Sequence, residues 1–164
     1  NRVGYIGHLT TAWFDWNLLL NAAKDFPNIE FEIIGHGMPD TLELPKNIKY
    51  LGPKNHDEFL KISEKWKIGL IPFISSPLTY GVDPNKIYEY LAANLLVVTA
   101  DMGSVKSCPA TFVYETYSEF KDRFSEALAT KYTQQLRYDI INYVNTARLS
   151  NRAKQMIFSI QEEV

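Results

Sequence analysis

Six short segments of this chain are nearly continuous in apolar residues, which is the pattern of strands buried on both faces of a sheet. Between them, apolar residues recur every three or four positions, which predicts helices. The predicted strands cover residues 3–7, 31–35, 48–52, 68–73, 95–99 and 111–114. The predicted helices cover residues 18–26, 56–66, a short segment that begins at 84, and then 117–129, 134–145 and 149–162.

Because strands and helices alternate, the chain predicts an α/β fold: a Rossmann-like, doubly wound parallel sheet of about six strands with helices on both faces. Ligands of such sheets bind outside the carboxyl ends of the strands, where the strand order switches. Glycines stand at these ends, at Gly7, at Gly35 and at Gly52, which Pro53 follows. Turn geometry alone is the alternative reason for each glycine.

The loop and helix between the fourth and fifth predicted strands carry the clearest chemical signal. Asp83 is expected to cap the helix, because its side-chain oxygen can accept from amides of the first turn, and Pro84 suits the first helical position. Lys86 then falls in the first turn, where the helix dipole repels a cation by roughly 0.3–1 kcal/mol. A bound anion would receive the free amides and the ammonium together, so this helix start predicts a phosphate site.

Glu89 lies three residues after Lys86, on the same face of the predicted helix. A ligand whose phosphate meets the lysine could therefore present a hydroxyl to this carboxylate. The alternative is that the two side chains form an ordinary ion pair on a solvated helix face, worth ~0.2–0.5 kcal/mol. Spacing alone leaves both interpretations open.

Composition narrows the classes of function. The 164 residues suffice for one domain, and the 46% that are hydrophobic indicate a globular fold. The net charge of −2 shows no basic excess for nucleic acid. The single cysteine, Cys108, excludes an internal disulfide and a cysteine-built metal site, and His36 and His56 lack partners for a metal. No apolar run reaches the ~18–20 residues that cross a bilayer.

Two further observations concern fold class and extent. Neither a G-x-G-x-x-G fingerprint nor a Walker lysine motif is present, which argues against a nicotinamide dehydrogenase and a P-loop ATPase. The chain also begins almost inside its first predicted strand, from which we expect an excised domain.

Residues 84–93 read P-x-K-x-x-E-Y-L-A-A and lead into a Val-Val strand. This motif resembles the nucleotide-sugar-binding segment of GT-B glycosyltransferases, whose usual form continues with G-x-P-V-V. The chain departs from that form at Asn94, where glycine is usual, and at Leu96, where proline is usual. It also has Gly81 where many retaining members of the GT4 type carry a second glutamate, so retention or inversion stays open.

Further blocks are similar to the C-terminal, donor-binding domain of the same family. They are residues 4–7, 13–15, 31–35, 47–53 and 69–73, and they follow the family's order and spacing. The greatest similarity is to bacterial transferases that make teichuronic-acid-like or other surface polysaccharides. The resemblance therefore covers nearly the whole chain.

The resemblance implies that residues 1–164 form a single nucleotide-sugar-binding domain and that the N-terminal acceptor domain of the full protein is absent. In this family the lysine of the motif meets the diphosphate and the glutamate meets the ribose, which assigns these roles to Lys86 and Glu89. Lys86, as the catalytic group, would stabilise the leaving diphosphate without a metal or another cofactor. The implied donor-binding residues are Gly7, His8, Gly35, Gly52, Pro53, Tyr80, Asp83, Pro84, Asn85, Lys86, Ile87 and Glu89.

Two features of the first loop bear on the ligand. Relatives commonly carry Arg or Lys after the first strand to hold phosphate, whereas this chain has His8, which leaves Lys86 as the main phosphate-binding side chain. A loop histidine without a role is the alternative for His8. Trp13, Phe14 and Trp16 are interpreted as packing residues, with an aromatic platform for a sugar as the alternative.

The expected partners are a nucleotide-sugar donor and the missing N-terminal domain, with no nucleic acid. The full-length protein is expected to be a bacterial, cytoplasmic glycosyltransferase of the hexosyltransferase type, and association with the inner face of the membrane is left open. The isolated domain is expected to be inactive. Two alternatives remain: a catalytically silent doubly wound binding or regulatory module, and a domain like the nucleotide-sugar 2-epimerases.

Overall fold

The computed structural model describes residues 1–146, so the helix predicted at 149–162 lies outside the described residues. Within residues 1–146 the chain forms one six-stranded sheet, in which every neighbouring pair of strands is parallel. The strands are β1 (Arg2–His8), β2 (Glu30–His36), β3 (Ile48–Gly52), β4 (Ile68–Ile71), β5 (Leu96–Ala100) and β6 (Thr111–Tyr114). The helices are α1 (Trp16–Asp25), α2 (His56–Ser63), α3 (Asn85–Ala92), α4 (Tyr117–Ala129) and α5 (Gln134–Thr146). None of these helices combines the length and apolar character that crossing a membrane requires.

The strand order across the sheet is β3-β2-β1-β4-β5-β6. The chain winds outward from β1 in one direction and, after a crossover to β4, outward in the other, which places helices on both faces. The predicted Rossmann-like, doubly wound parallel sheet is therefore confirmed. Its order switches between β1 and β4, so a ligand-binding crevice is expected at the carboxyl ends of those two strands.

Helix α2 is shorter than predicted, because it ends at Ser63 rather than at Trp66. The backbone turns after the helix, and the Trp66 amide donates to the Ser63 carbonyl at 2.9 Å. This turn brings the Trp66 ring against Gly4 of β1, where an added Cβ would lie 2.1 Å from the ring. The indole N–H also donates to the Glu32 carboxylate at 2.7 Å. A long-range contact thus ends the helix before its apolar periodicity does.

The far end of α3 explains one departure from the family motif. Asn94 adopts a left-handed conformation with φ of 58°. Its amide donates to the Leu91 carbonyl at 3.0 Å, and the Leu95 amide donates to the Tyr90 carbonyl at 2.9 Å. This pair of bonds is the Schellman motif, in which glycine is usual and asparagine is the common substitute. Asn94 therefore forms a turn for which glycine is the usual residue.

The packing prediction is confirmed for two of the three aromatic residues that follow β1. Phe14 is 1% exposed and Trp16 is 6% exposed. The Trp16 indole N–H donates to the Leu9 carbonyl at 2.9 Å, which satisfies its polar atom inside the core. Trp13, by contrast, is only partly buried.

Candidate ligand-binding cleft

The sheet opens between β1 and β4. These strands pair only at Val3 with Ile68 and at Gly4 with Gly69, although β1 continues to His8. Beyond that point the two strands have no pairing register with each other. Because they are also the strands between which the order switches, the opening lies where doubly wound folds bind ligands.

Tyr90 of α3 fills the gap at the base of this opening. Its ring packs on Gly69, where an added Cβ would lie 2.3 Å from a ring carbon, and the side chain is completely buried. The hydroxyl accepts from the Ile6 amide at 3.0 Å and donates towards the Leu70 carbonyl at 3.5 Å. Burial raises the pKa of Tyr90 well above its ordinary value, so the hydroxyl keeps the proton that it donates. Sequence reasoning gave this residue no role, yet it holds α3 between the diverging strands.

A cleft of about 500 Å³ is lined by residues of β1 and the segment after it, of the segment after β4, and of the start of α3, and its volume is within the size range of small-molecule sites. Three of its lining residues, His8, Pro84 and Lys86, were predicted to bind a ligand. Of the others, the sequence indicated a ligand contact only for Trp13, as the alternative to packing; for the rest, aromatic residues in β1 and just after β4 were the available signal. The complete lining is Tyr5, His8, Thr10, Trp13, Phe73, Val82, Pro84 and Lys86.

Lys86 extends from α3 across the end of β1. At Gly7 an added Cβ would lie 2.3 Å from the Lys86 Cε atom and 2.8 Å from its Nζ atom, so a side chain at this position would displace the end of Lys86. Gly7 also has φ of +151°, which side chains rarely adopt. The ammonium lies 5.8 Å from the ring centroids of both Tyr5 and Phe73.

The Lys86 ammonium lacks a fixed anionic partner among residues 1–146. It makes no hydrogen bond or salt bridge there, and no ion pair joins it to Glu89. Burial is the main influence on the pKa of Lys86 and lowers it, while the charge of Glu89 acts in the opposite direction. The ordinary ion pair that spacing allowed is therefore not formed, and a partly buried cation faces the cleft.

The predicted cap of α3 is wrong. The helix begins at Asn85, and Pro84 occupies the cap position with an extended backbone (φ −75°, ψ 121°) and no side-chain hydrogen bond. The Asp83 carboxylate instead accepts from the Tyr88 hydroxyl, with distances of 2.9 and 3.1 Å to its two oxygens. A tyrosine one turn into the helix thus draws the carboxylate away from the amides that it was expected to cap.

This start leaves backbone donors available. The Ile87 amide donates to the Pro84 carbonyl at 3.0 Å. The amides of Asn85 and Lys86 have no acceptor among the described residues, as expected of the first positions of an uncapped helix. These two amides belong to the helix start from which Pro84 and Lys86 line the cleft.

Two other predicted residues support the β1 end of the cleft. Gly35 pairs with Gly7, and an added Cβ at Gly35 would lie 1.7 Å from the Gly7 carbonyl oxygen, so the two strand ends can approach this closely only with glycine at position 35. The His8 side chain is exposed, and its backbone carbonyl accepts from the Tyr5 hydroxyl at 2.8 Å. These contacts hold the β1 loop at the edge of the cleft.

The remaining predicted residues lie outside the lining of this cleft. Gly52 and Pro53 are at the carboxyl end of β3, two strands away from β1. Tyr80 is 67% exposed, and its ring lies over Gly103. Ile87 has its side chain in the core, and Glu89 is exposed one turn along α3. The structure therefore places six predicted residues at or beside the cleft and leaves the other predicted residues away from its lining; the six are Gly7, His8, Gly35, Pro84, Asn85 and Lys86.

The described residues offer no ready metal centre. No group of three or more histidine, cysteine, aspartate or glutamate side chains comes together within residues 1–146. The chemistry that the cleft itself provides is a cation, two amide donors and an aromatic wall.

Comparison with known proteins identifies a related sequence. The chain is 29% identical over 120 residues to a Bacillus subtilis protein named as a teichuronic acid biosynthesis glycosyltransferase, TuaH. The match covers 69% of this chain and 30% of that protein, so the chain spans less than a third of the relative. No family model matches the chain.

Solved structures share the fold at low identity. The trehalose 6-phosphate synthase of Burkholderia multivorans matches with a TM-score of 0.72 at 12% identity, over 99% of this chain and 43% of that one. The lipopolysaccharide glycosyltransferase WaaG matches with 0.64 at 14%, over 89% and 43%. HepE of Anabaena, solved with UDP and glucose, matches with 0.65 at 15%, over 99% and 48%.

Each of these structures is more than twice as long as the part that matches, and identities this low establish the fold alone. Together with the related sequence and the motif at residues 84–93, they confirm the resemblance drawn from the sequence. The chain is thus similar to GT-B glycosyltransferases, and its fold is that of their C-terminal domain.

Proposed function

We propose that this chain is the donor-binding domain of a glycosyltransferase that uses a nucleotide-diphosphate sugar to build a bacterial surface polysaccharide. The observation that carries the proposal is the Lys86 ammonium, held over Gly7 at the open end of β1 with no anionic partner among the described residues. A diphosphate would supply that partner and would accept from the two free amides of α3 as well.

The same arrangement suits the chemistry of glycosyl transfer. When the bond between the anomeric carbon and the β-phosphate oxygen breaks, the electron pair stays on the leaving nucleoside diphosphate. Lys86 and the amides of Asn85 and Lys86 would stabilise that growing charge from fixed positions, which requires no reorganisation during the reaction. Lys86 is therefore the proposed catalytic residue, and no metal is needed for this role.

Glu89 is the proposed ribose-binding residue. Its carboxylate is exposed one turn after Lys86, so it can accept from ribose hydroxyls while the diphosphate lies at the helix start. This contact would set the register of the donor rather than take part in bond breaking. Gly52 and Pro53, two strands away at the sheet edge, would then lie towards the nucleobase.

The acceptor site and any general base are proposed to come from a separate N-terminal domain of a longer, cytoplasmic protein. The chain spans 43–48% of the three solved structures described above, which leaves room for such a domain in enzymes of this fold. On this proposal the 164-residue chain binds the donor and turns over little of it.

Calorimetric titration of the chain with UDP, GDP, ADP and CMP tests this proposal. We expect one nucleotide to bind preferentially and Lys86→Ala to weaken that binding at least about tenfold, the effect of losing a charge-assisted contact. Lys61→Ala is the matched control, since Lys61 is an exposed lysine of α2 that does not line the cleft. Equal affinity of the wild type and Lys86→Ala, or no binding of any nucleotide, would refute the assignment.

A further inference from the structure

The aromatic residue Trp13 remains unexplained by the phosphate site. Its neighbours Phe14 and Trp16 lie in the core, whereas Trp13 is partly exposed and lines the cleft that contains Lys86. A tryptophan ring has a large apolar surface, so a ligand that covers a partly exposed tryptophan gains much binding free energy. The position of this indole therefore points to a ligand group that packs on it.

The backbone around Trp13 is firmly attached to the end of β4. The Trp13 carbonyl accepts from the Ile74 amide at 2.9 Å, and the Asp15 amide donates to the Pro72 carbonyl at 2.8 Å. Between these bonds, Phe14 forms an antiparallel bridge with Phe73. The residue is thus held in place before any ligand arrives, which lowers the entropic cost of using it for binding.

The ring of Trp13 is positioned by a second contact. It packs edge to face with Phe73, with ring centroids 6.2 Å apart and planes at 67°. Phe73 also lies near the Lys86 ammonium, at 5.8 Å from centroid to Nζ. One wall of the cleft therefore runs continuously from an indole to a cation through a shared phenyl ring.

From this wall we propose that Trp13 is the sugar-stacking residue of the donor site, so that the cleft holds a pyranose between the indole and Lys86. The inference rests on the proposed function and specifies which part of the donor the cleft receives. A pyranose has an apolar C–H face that suits an aromatic surface, and its phosphate end suits the lysine. Glu89, the proposed ribose contact, does not line the cleft, which leaves this space for the sugar rather than for the nucleoside.

The competing ligand group is the nucleobase, which also stacks on aromatic rings. The two interpretations predict different effects of a Trp13 substitution on affinity. If the sugar stacks on Trp13, the substitution weakens the binding of nucleotide sugars more than the binding of the matching free nucleotides. If the base stacks on Trp13, the binding of both weakens equally.

The experiment compares three pairs of ligands by calorimetry on the 164-residue chain: UDP with UDP-glucose, GDP with GDP-mannose, and ADP with ADP-glucose. In the pair that binds, we expect the wild type to prefer the nucleotide sugar. Trp13→Ala is expected to reduce that preference by about three- to tenfold, the usual worth of an aromatic contact. Tyr138→Ala is the control, because Tyr138 is an exposed aromatic residue on α5 and does not line the cleft.

Two more substitutions separate stacking from packing. Trp13→Phe should retain part of the preference for the nucleotide sugar, whereas Trp13→Leu, of comparable apolar character, should lose it. Thermal unfolding of each variant identifies those that are folded, and the comparison of Phe with Leu still decides if the alanine variant does not fold. Equal rescue by both would show that Trp13 acts only by filling space.

The outcomes distinguish this inference from the proposed function. Suppose that nucleotide binding depends on Lys86, but that the wild type shows no preference for the nucleotide sugar or that Trp13→Ala leaves this preference unchanged. Either result overturns the stacking role of Trp13 alone. Equal losses for both members of a pair also overturn it, in favour of the base. No binding of any of the six ligands overturns the inference together with the proposed function.

Discussion

Helices α2 and α3 have the same length of eight residues, but they begin in opposite ways. At α2, the Asn55 side chain accepts from the Glu58 amide at 2.9 Å, and the Glu58 carboxylate accepts from the Asn55 amide at 3.0 Å. This capping box satisfies two donors reciprocally. At α3, Pro84 provides no side-chain acceptor, and the amides of Asn85 and Lys86 have no acceptor within residues 1–146.

The charges in the first turns of α2 and α3 also differ, and like the caps they favour α2 as a helix start without a ligand. The first turn of α2 contains Asp57 and Glu58, which suit the positive end of the helix dipole. The first turn of α3 contains no acidic residue and places Lys86 where the dipole opposes it. An α2-type start contributes to folding by itself, whereas an α3-type start becomes favourable when an anion binds.

Reversal of the charge at α3 has the largest expected effect. Lys86→Glu gives α3 an acidic first turn like that of α2, and a phosphate would then meet a carboxylate. We expect the affinity for the nucleotide to fall by at least about a hundredfold, because an attractive contact becomes repulsive. Calorimetry measures the affinity, and circular dichroism checks the fold. A fall of less than tenfold would show that the lysine is not the phosphate contact.

Removal of the cap at α2 tests the opposite helix. Asn55→Ala should lower the free energy of unfolding by about 1 kcal/mol, since the side chain loses its bond to the Glu58 amide. Urea denaturation measures the change, and Lys61→Ala serves as the surface control on the same helix. We expect nucleotide affinity to be retained, so a parallel loss of binding would contradict the division of roles between the two helices.

A cap can also be added to α3. Pro84→Asn introduces the residue type that begins α2, and its side-chain oxygen can occupy an amide of the first turn. We expect nucleotide affinity to fall about threefold through this competition. The free energy of unfolding should change little, because the gain from the cap opposes the loss of proline rigidity. Pro84→Ala, which lacks the acceptor, should bind more tightly than Pro84→Asn; the reverse order would argue against competition for the amide.

The smallest expected effect is the pH dependence of Lys86. Burial lowers its pKa in the folded protein below the ordinary value of 10.5. Between the two values the unfolded chain binds more protons, so this group makes the free energy of unfolding rise with pH in that window. The affinity for the nucleotide falls as pH rises through the same window, since the neutral amine no longer attracts phosphate.

Calorimetry at a series of alkaline pH values measures this dependence. We expect the affinity to begin to fall before pH 10.5 is reached, in line with the lowered pKa. Lys86→Arg is the control, because a guanidinium stays charged throughout this range. If the arginine variant shows the same decline as the wild type, another group is responsible for it.

Much of the architecture could be predicted from local patterns. The bounds of β3, β6 and α4 agree with the predicted segments, since apolar runs and helical periodicity reflect burial on a nearby sheet. The position of Lys86 in the first turn of α3 also followed from the motif, although the helix starts one residue later than predicted. Neighbouring residues along the chain carry all of this information.

Other features depend on contacts between distant segments. Asp83 was expected to cap α3, but Tyr88 takes its carboxylate. Trp66 leaves α2 to reach β1, and Tyr90 bonds to Ile6 across 84 positions of sequence. Periodicity and spacing rules do not predict such pairs, because the two residues are far apart in sequence and come into contact only in the folded sheet.

The sequence by itself determined the alternation of elements, the edge of the sheet at which a ligand site is predicted, and a lysine at the start of one helix. Tertiary structure alone decided that β1 and β4 diverge, that Gly7 leaves a path for Lys86, and that Trp13 remains on the cleft wall while Phe14 and Trp16 enter the core. The physical reason is the distance along the sequence over which each kind of interaction acts. Hydrophobic patterning acts within a segment, whereas the shape and charge of a cleft arise where several segments meet.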